Sequence, residues 1–294
     1  MKKINYLSLN EEYSLKENSQ IHIYPLSFKQ NATTKNSSFN GPEEILKASR
    51  EIEYFDEEFK VEPYLNGIYT HEIIDLKDKD EGFVLSEKIV NELSPLVEKN
   101  KFNIFLGSDH WTTHGIVSVF EEQYKDFGVI SFDAHLDLRE EWGKGTWWHA
   151  CVLREISKKH KCLILGSRSS DFYENEYLKS SSSVSVISSK EINTKKNLTH
   201  LKYFLKKLPK NVYITIDSDV FDPSIIRNTD TPEPDGLSWA QVTEFLKEIF
   251  KTKNVIGLDL VEFSPKGPEW NYHSEAYTLA KLIYKIISYK FNVK

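Results

Sequence analysis

The run Gly128-Val-Ile-Ser-Phe132 passes directly into Asp133-Ala-His135-Leu-Asp137. In an extended backbone, side chains at i, i+2 and i+4 leave from the same face. A strand running into a loop can therefore aim two carboxylates and one imidazole at a single point. Val212-Tyr-Ile-Thr-Ile216 ends in Asp217-Ser-Asp219 and repeats the device, and Asn103-Ile-Phe-Leu106 runs into Gly107-Ser-Asp109-His110. Such runs, apolar rather than alternating, belong to strands covered on both faces. Three apolar runs that end in aspartates, two of them with a histidine, point to one sheet whose strand ends converge on one metal centre.

Eight runs have strand character: residues 21–24, 67–73, 103–106, 128–132, 162–165, 184–187, 212–216 and 255–260. Between them lie stretches with helical spacing, at 42–53, 83–98, 113–124, 147–160, 199–208, 238–250 and 273–289. Ser238 with Gln241 three residues on reads as a capping box. Strand and helix in alternation predict an α/β fold, a three-layer α/β/α arrangement with a mainly parallel sheet of about eight strands. Ligands bind such sheets beyond the carboxyl ends of the strands, which is where Asp109, Asp133, Asp217 and Glu262 fall. Residues 31–40 and 180–189 are rich in polar turn formers and read as loops, the second interrupted by the 184–187 run. Neither is long enough to be a linker, so residues 1–294 are expected to form a single domain.

The chain has 294 residues with a net charge of −6, which leaves no basic footprint for nucleic acid. No apolar stretch approaches the roughly 20 residues of a membrane span, and the N-terminus lacks a signal-peptide core. Cys151 and Cys162 are not spaced as a metal pair and read as small buried hydrophobes in a reducing compartment. A soluble, cytoplasmic protein with neither nucleic-acid nor membrane partner is expected.

Four aspartates (Asp133, Asp137, Asp217 and Asp219) and two histidines (His110 and His135) exceed what one structural zinc needs, and no thiolate is among them. An oxygen-rich set with a minority of imidazole suits Mn²⁺ ahead of Fe²⁺, Co²⁺ or Zn²⁺. Two ions bridged by carboxylates would activate one water between them. Taken singly, Asp217-Ser-Asp219 reads more often as a turn, and Asp109-His110 as a helix cap beside a surface imidazole. Asp133-Ala-His135-Leu-Asp137 is stronger, because charges left beside a core need partners.

These stretches together resemble the ureohydrolases, the arginase and agmatinase family. Its motifs match Gly107-Ser108-Asp109-His110, Asp133-Ala-His135-Leu-Asp137 and Thr215-Ile-Asp217-Ser-Asp219-Val-Phe-Asp222-Pro223. Further matches are Thr229-Asp-Thr-Pro-Glu-Pro-Asp-Gly236, Asp259-Leu-Val-Glu262-Phe-Ser-Pro265 and, with Asn40 inserted, Phe39-Asn-Gly41-Pro42-Glu-Glu-Ile45. The chain departs from the pattern at Ser108 and Asp230, where glycine is usual. It departs also at Trp111, in place of a small residue, and at Thr215, in place of serine.

The resemblance implies an arginase-like fold and two Mn²⁺ per subunit, held or bridged by His110, Asp133, His135, Asp137, Asp217 and Asp219. It implies attack by the bridging hydroxide, Asp137 included in that machinery, on a guanidinium carbon to give urea and an amine. Glu262 would pair with the guanidinium and His149 would shuttle a proton to the leaving amine. A homo-oligomer, trimer or hexamer, is implied as well. Asp222 reads as a turn former before Pro223.

The segment from Asp137 to His149 lacks the Asn, Thr and Ser pattern with which arginases hold a carboxylate. His149-Ala-Cys-Val-Leu-Arg154 looks like the agmatinase branch, archaeal-type members above all. The partner is then a small cationic guanidine, agmatine first, yielding putrescine and urea. Glu140, Glu141 or the faces of Trp142, Trp147 and Trp148 could meet its far cation. Arg139, Lys144 and Asp171 keep arginine open, Asp171 by likeness to an arginase residue that contacts the substrate amino group. Aminopropylagmatine and guanidinobutyrate are further alternatives, and a non-catalytic guanidine- or polyamine-binding paralogue is another. A two-metal phosphoesterase would want Arg or Lys aimed at phosphate, whereas the motif ends offer acids.

Overall fold

The computed structural model describes residues 4–28, 40–76, 82–141, 148–193 and 197–293. Among the described residues nine strands are present: β1 Ile21–Phe28, β2 Ile68–Thr70, β3 Ile74–Leu76, β4 Phe102–Leu106, β5 Gly128–Phe132, β6 Cys162–Leu165, β7 Val184–Ile187, β8 Asn211–Asp217 and β9 Asn254–Val261. Ten helices accompany them: α1 Glu11–Ser14, α2 Gly41–Ala48, α3 Gly82–Leu93, α4 Thr112–Gln123, α5 Val152–Ser157, α6 Phe172–Ser180, α7 Ser189–Ile192, α8 Asn197–Leu205, α9 Trp239–Thr252 and α10 His273–Asn292.

All strand pairs are parallel, in the order β2-β1-β4-β9-β8-β5-β6-β7, with β3 beside the second half of β1. Ile104, Leu106, Ile130, Phe132, Ile214 and Ile216 face one core with Ile45, Phe245 and Leu279. Phe105, Val129, Ile164 and Tyr213 face another with Ile89, Phe120 and Leu153. Alternate residues thus feed two apolar layers, which is the expected three-layer α/β/α fold with a parallel sheet. Among the described residues no helix is long and apolar enough to cross a membrane.

The run at 67–73 holds a strand only at 68–70, and a second short strand follows it at 74–76. β2 and β3 pair with successive halves of one edge of β1, Ile23 opposite Thr70 and Leu26 opposite Ile74. Ile21 donates to Gly67 O and Ile23 O accepts from His71 N–H, so odd residues of β1 address this edge. Pro25, which has no N–H to give, falls at the gap between the two partners. That is why β1 continues through a proline at which the sequence pattern stops.

The capping box at Ser238 is present, with its hydroxyl accepting from Gln241 N–H. The helix expected from 147 starts later, at Val152, after a 3-10 turn at His149–Cys151. α6 and α7 occupy stretches for which the sequence pattern gave no helix, since Phe172 and Tyr173 are exposed and obscure the period of α6.

β4, β9, β8 and β5 are adjacent at the centre of the sheet, and their carboxyl ends carry the acidic motifs. Phe132 lies opposite Ile216, and Ile216 opposite Leu260. The register therefore brings Asp133 and Asp217 out side by side, one residue beyond.

Candidate metal centre

In each central aspartate, one oxygen is used by a backbone N–H and the other is left for the centre. Asp133 Oδ1 accepts from His135 N–H at 2.7 Å, Asp217 Oδ1 from Asp219 N–H at 2.8 Å, and Asp219 Oδ1 from Ala134 N–H at 3.0 Å. The free oxygens then converge on imidazoles. His110 Nδ1 lies 3.0 Å from Asp137 Oδ2, 3.3 Å from Asp133 Oδ2 and 3.4 Å from Asp217 Oδ2. His135 Nδ1 lies 2.9 Å from Asp219 Oδ2 and 3.7 Å from Asp133 Oδ1. Two clusters result, His110–Asp133–Asp137 and Asp133–His135–Asp219, and they share Asp133. Asp137 reaches its place with a left-handed backbone, φ 51°, a conformation aspartate tolerates better than most residues.

The inner side of His110 is fixed by a buried relay. Its Nε2 is 3.0 Å from Thr215 Oγ1, which donates to Asp259 Oδ1 at 2.5 Å, while Tyr213 OH donates to Asp259 Oδ2 at 2.8 Å. With the Thr215 proton committed to Asp259, its oxygen accepts from His110 Nε2–H. The opposite nitrogen, Nδ1, then points bare at three carboxylate oxygens. His110 Nδ1 and Asp133 Oδ2 are both buried and have no hydrogen-bond partner. Donors and acceptors in such a site demand a cation, because unpaired buried acceptors cost several kcal/mol. In the absence of a metal, protons fill that role. Burial alone would lower the His135 pKa, but Asp133 and Asp219 carry it up to about 11, and His110 is likewise raised by Asp133 and Asp137. Burial, then Asp219 and Asp133, push the Asp217 carboxyl well up. The residues fit a pair of hard divalent ions.

Above this floor opens a pocket of about 210 Å³. Asp137, His135, His149 and Glu262 line it together with Arg139, Glu174, Asp230 and Thr231. Glu262 leaves β9 at φ 62° and its Oε1 accepts from His110 N–H at 2.7 Å. A glutamate held in the left-handed region is strained, and such strain collects at functional sites. Burial and then Asp109 push the Glu262 carboxyl up to about 8. Burial works against the charged form of His149, yet Asp109, 3.7 Å from its Nδ1, and Glu262 raise it to about 9. These acids favour the charged form of the His149 imidazole.

Eight of the ten residues singled out from the sequence as site residues meet on this floor and pocket, and Asp171 does not. Asp171 caps α6: its Oδ1 accepts from Glu174 N–H at 2.8 Å and Glu174 Oε2 accepts from Asp171 N–H at 2.8 Å. Its other oxygen is 3.3 Å from Arg139 Nη1, so the structure places Asp171 behind the pocket wall rather than on it. Trp142, with Lys144 and Trp147, lies outside the described residues. Glu174 is the residue that sequence reasoning missed. It is buried, lines the pocket, and its Oε1 accepts from Leu138 N–H at 3.0 Å. Asp171-Phe-Tyr-Glu174 is itself a capping-box spacing and could have revealed it.

The departures from the family pattern also have places. Ser108 Oγ donates to Leu26 O, tying β1 to the loop after β4. Trp111 is buried and donates to Gly82 O at 2.7 Å, joining α3 to the start of α4. Asp222 Oδ1 accepts from Ser224 N–H and Oδ2 from Gly236 N–H, so it is the turn former expected.

A model of the arginase family matches residues 19–288. An N(1)-aminopropylagmatine ureohydrolase of Thermus thermophilus is 30% identical, covering 93% of this chain and 91% of the relative. An agmatinase of Pyrococcus horikoshii is 33% identical over 74% of this chain and 77% of its own length. The solved agmatine ureohydrolase of Thermoplasma volcanium superposes with a TM-score of 0.82 at 23% identity, covering 99% of this chain and 94% of that one, and shares the fold. With its strand-end motifs gathered on one floor and this match over most of its length, the chain belongs to the arginase family.

Proposed function

We propose that the chain hydrolyses the guanidino group of a linear, amine-tailed guanidine, agmatine first, releasing urea and putrescine. The observation that supports this most is the sharing of Asp133 between two ligand clusters at the bottom of a pocket whose wall carries Glu262 and His149. His110, Asp133, Asp137 and Asp217 would hold one divalent ion and His135, Asp133 and Asp219 the other. Bound there as Mn²⁺, the pair supplies an activated water and stabilises negative charge at the pocket floor.

The remaining work falls to side chains. Glu262, steadied by the His110 N–H, accepts hydrogen bonds from the planar guanidinium and fixes its orientation. Water adds to the guanidine carbon, and the bond from that carbon to the chain nitrogen breaks. His149, whose charged form its acidic neighbours favour, gives the departing nitrogen its proton, so a neutral amine leaves. Of the two protons the added water loses as its oxygen becomes the carbonyl of urea, one restores the imidazolium and the other passes to the released amine or solvent. Asp109 keeps that imidazole charged and directed.

A second reading is cleavage of N(1)-aminopropylagmatine, the name carried by the relatives from Thermus thermophilus and Synechocystis at 30% identity over nearly the whole chain. Arginine fits less well. Of the two cations that could meet its carboxylate, Lys144 lies outside the described residues and Arg139 is already engaged by Asp171 at 3.3 Å and Glu174 at 3.9 Å. The amine product suits a place in polyamine synthesis in the cytoplasm, and the oligomer of the resemblance remains part of this proposal.

Urea release by the Mn²⁺-loaded protein, measured in parallel with agmatine, N(1)-aminopropylagmatine, arginine and guanidinobutyrate, tests the reading. Urea from an amine-tailed substrate alone is the expected result. Urea from arginine alone overturns the substrate, and none from any of the four overturns the activity.

A further inference from the structure

Asp230 stands on the pocket wall, on the loop that follows β8, and is 26% exposed. The loop that follows β9 is fastened to it: Ser264 N–H donates to Asn228 O at 2.8 Å, and Lys266 N–H donates to Asn228 Oδ1. Asn228 is anchored in turn by the buried Glu275 of α10, whose Oε2 accepts from both its N–H and its Nδ2 at 2.9 Å. This fastening places Asp230 on the same pocket wall as Glu262. Two carboxyl groups on one wall leave that side of the pocket short of positive charge.

The missing charge is partly made up from behind. Lys266 Nζ lies 3.2 Å from Asp230 Oδ1, yet Lys266 does not line the pocket. Asp230 therefore already holds one ammonium from outside while facing the cavity where a cationic substrate would sit. The resembled pattern usually has glycine at this position.

We propose that Asp230 is a specificity determinant that, with Glu262, makes this wall choose a positively charged guanidine over a neutral isostere, and that Lys266 sets the strength of that choice by competing for Asp230. The inference rests on the reading that Glu262 receives the guanidinium. It separates from a merely structural ion pair by sign. Breaking a structural pair from either side has the same effect, whereas removing Asp230 weakens the field on the ligand and removing Lys266 strengthens it.

The test measures binding of butylguanidine and its neutral isostere butylurea by calorimetry to the Mn²⁺-loaded wild type, Asp230→Asn, Lys266→Gln and Lys266→Arg, with urea release from agmatine followed alongside. For Asp230→Asn the expected result is about three- to tenfold weaker binding of butylguanidine, as suits a partly exposed charge, with butylurea unchanged. Lys266→Gln should tighten butylguanidine by a similar factor, and Lys266→Arg should match the wild type. An unchanged ratio of butylguanidine to butylurea in Asp230→Asn, or shifts of the same sign in Asp230→Asn and Lys266→Gln, would overturn the proposal. Absence of urea from every guanidine offered to the wild type would instead overturn the activity, and the binding ratios would still be read.

Discussion

The floor of the pocket is built from strand ends, and its wall from loops and the first turn of α6. On the floor, each ligand is one or a few residues beyond a buried strand, and neighbouring strands hold the register. His110 is 0% exposed and His135 24%, so even within the floor the inner member is sealed and the outer one meets the cavity. On the wall, Arg139, Glu174 and Asp230 are held by ion pairs and a cap that reach back to Asp171 and Lys266 behind it. The floor decides what chemistry is possible, and the wall decides which guanidine reaches it. A floor made by sheet register tolerates little change, while a wall made by side-chain pairs can be rewritten residue by residue.

The sharpest way to break this division is Asp133→Asn, which removes the one carboxylate common to both clusters. Turnover with every guanidine should fall by at least about a thousandfold, roughly 4 kcal/mol in the barrier, measured as urea release. A loss confined to one substrate would mean that the floor also selects. Chelation comes next. At metal concentrations near 1,000 times Kd, bound metal stabilises by about 4 kcal/mol, so chelator should lower Tm by roughly ten degrees, read by circular dichroism. Because His135 is raised to about 11 in the metal-free site, metal entry at pH 7 must expel protons. Affinity should rise with pH, and calorimetry in buffers of different ionisation enthalpy should count the protons released.

Thr215→Val is a smaller blow to the same floor. It leaves the shape and removes the hydroxyl between His110 and Asp259, and metal affinity should drop by about 10- to 100-fold, followed by titration with the metal. Smallest of all is Asp171→Asn behind the wall. A changed cap should cost about 1 kcal/mol or less in stability, with KM for agmatine within a factor of a few. A large change in KM restricted to arginine would show instead that Asp171 reads an amino-acid end.

The same division explains what the sequence reveals. Asp133 is legible because a buried strand leaves its last side chains no choice of direction, whereas His135 and Asp137 lie beyond β5 and Asp137 arrives through a left-handed turn. Glu262 and His110 follow by the same logic at the ends of β9 and β4. The relay through Thr215, Asp259 and Tyr213 is not legible, since it depends on which residues of adjacent strands face each other across the sheet. α6 escapes because its burial is slight and two aromatics point outward, and with it goes Glu174, whose role depends on a turn reaching back to Leu138. Pro25 misleads until the two-part edge of β1 is seen.

The order of the sheet bears on how the molecule is made. β4 and β5 each supply ligands, but they are not neighbours; β9 and β8 lie between them. The centre thus draws on strands from Phe102 to Val261. A nascent chain that has already emitted the Asp133-Ala-His135 motif carries two unpaired strand edges and a set of mutually repelling acids until the last two strands arrive. Such long-range parallel pairing forms late and slowly. The ability to hold metal should therefore appear during synthesis as a single late event, when the stretch that ends in Glu262 slots between halves formed long before.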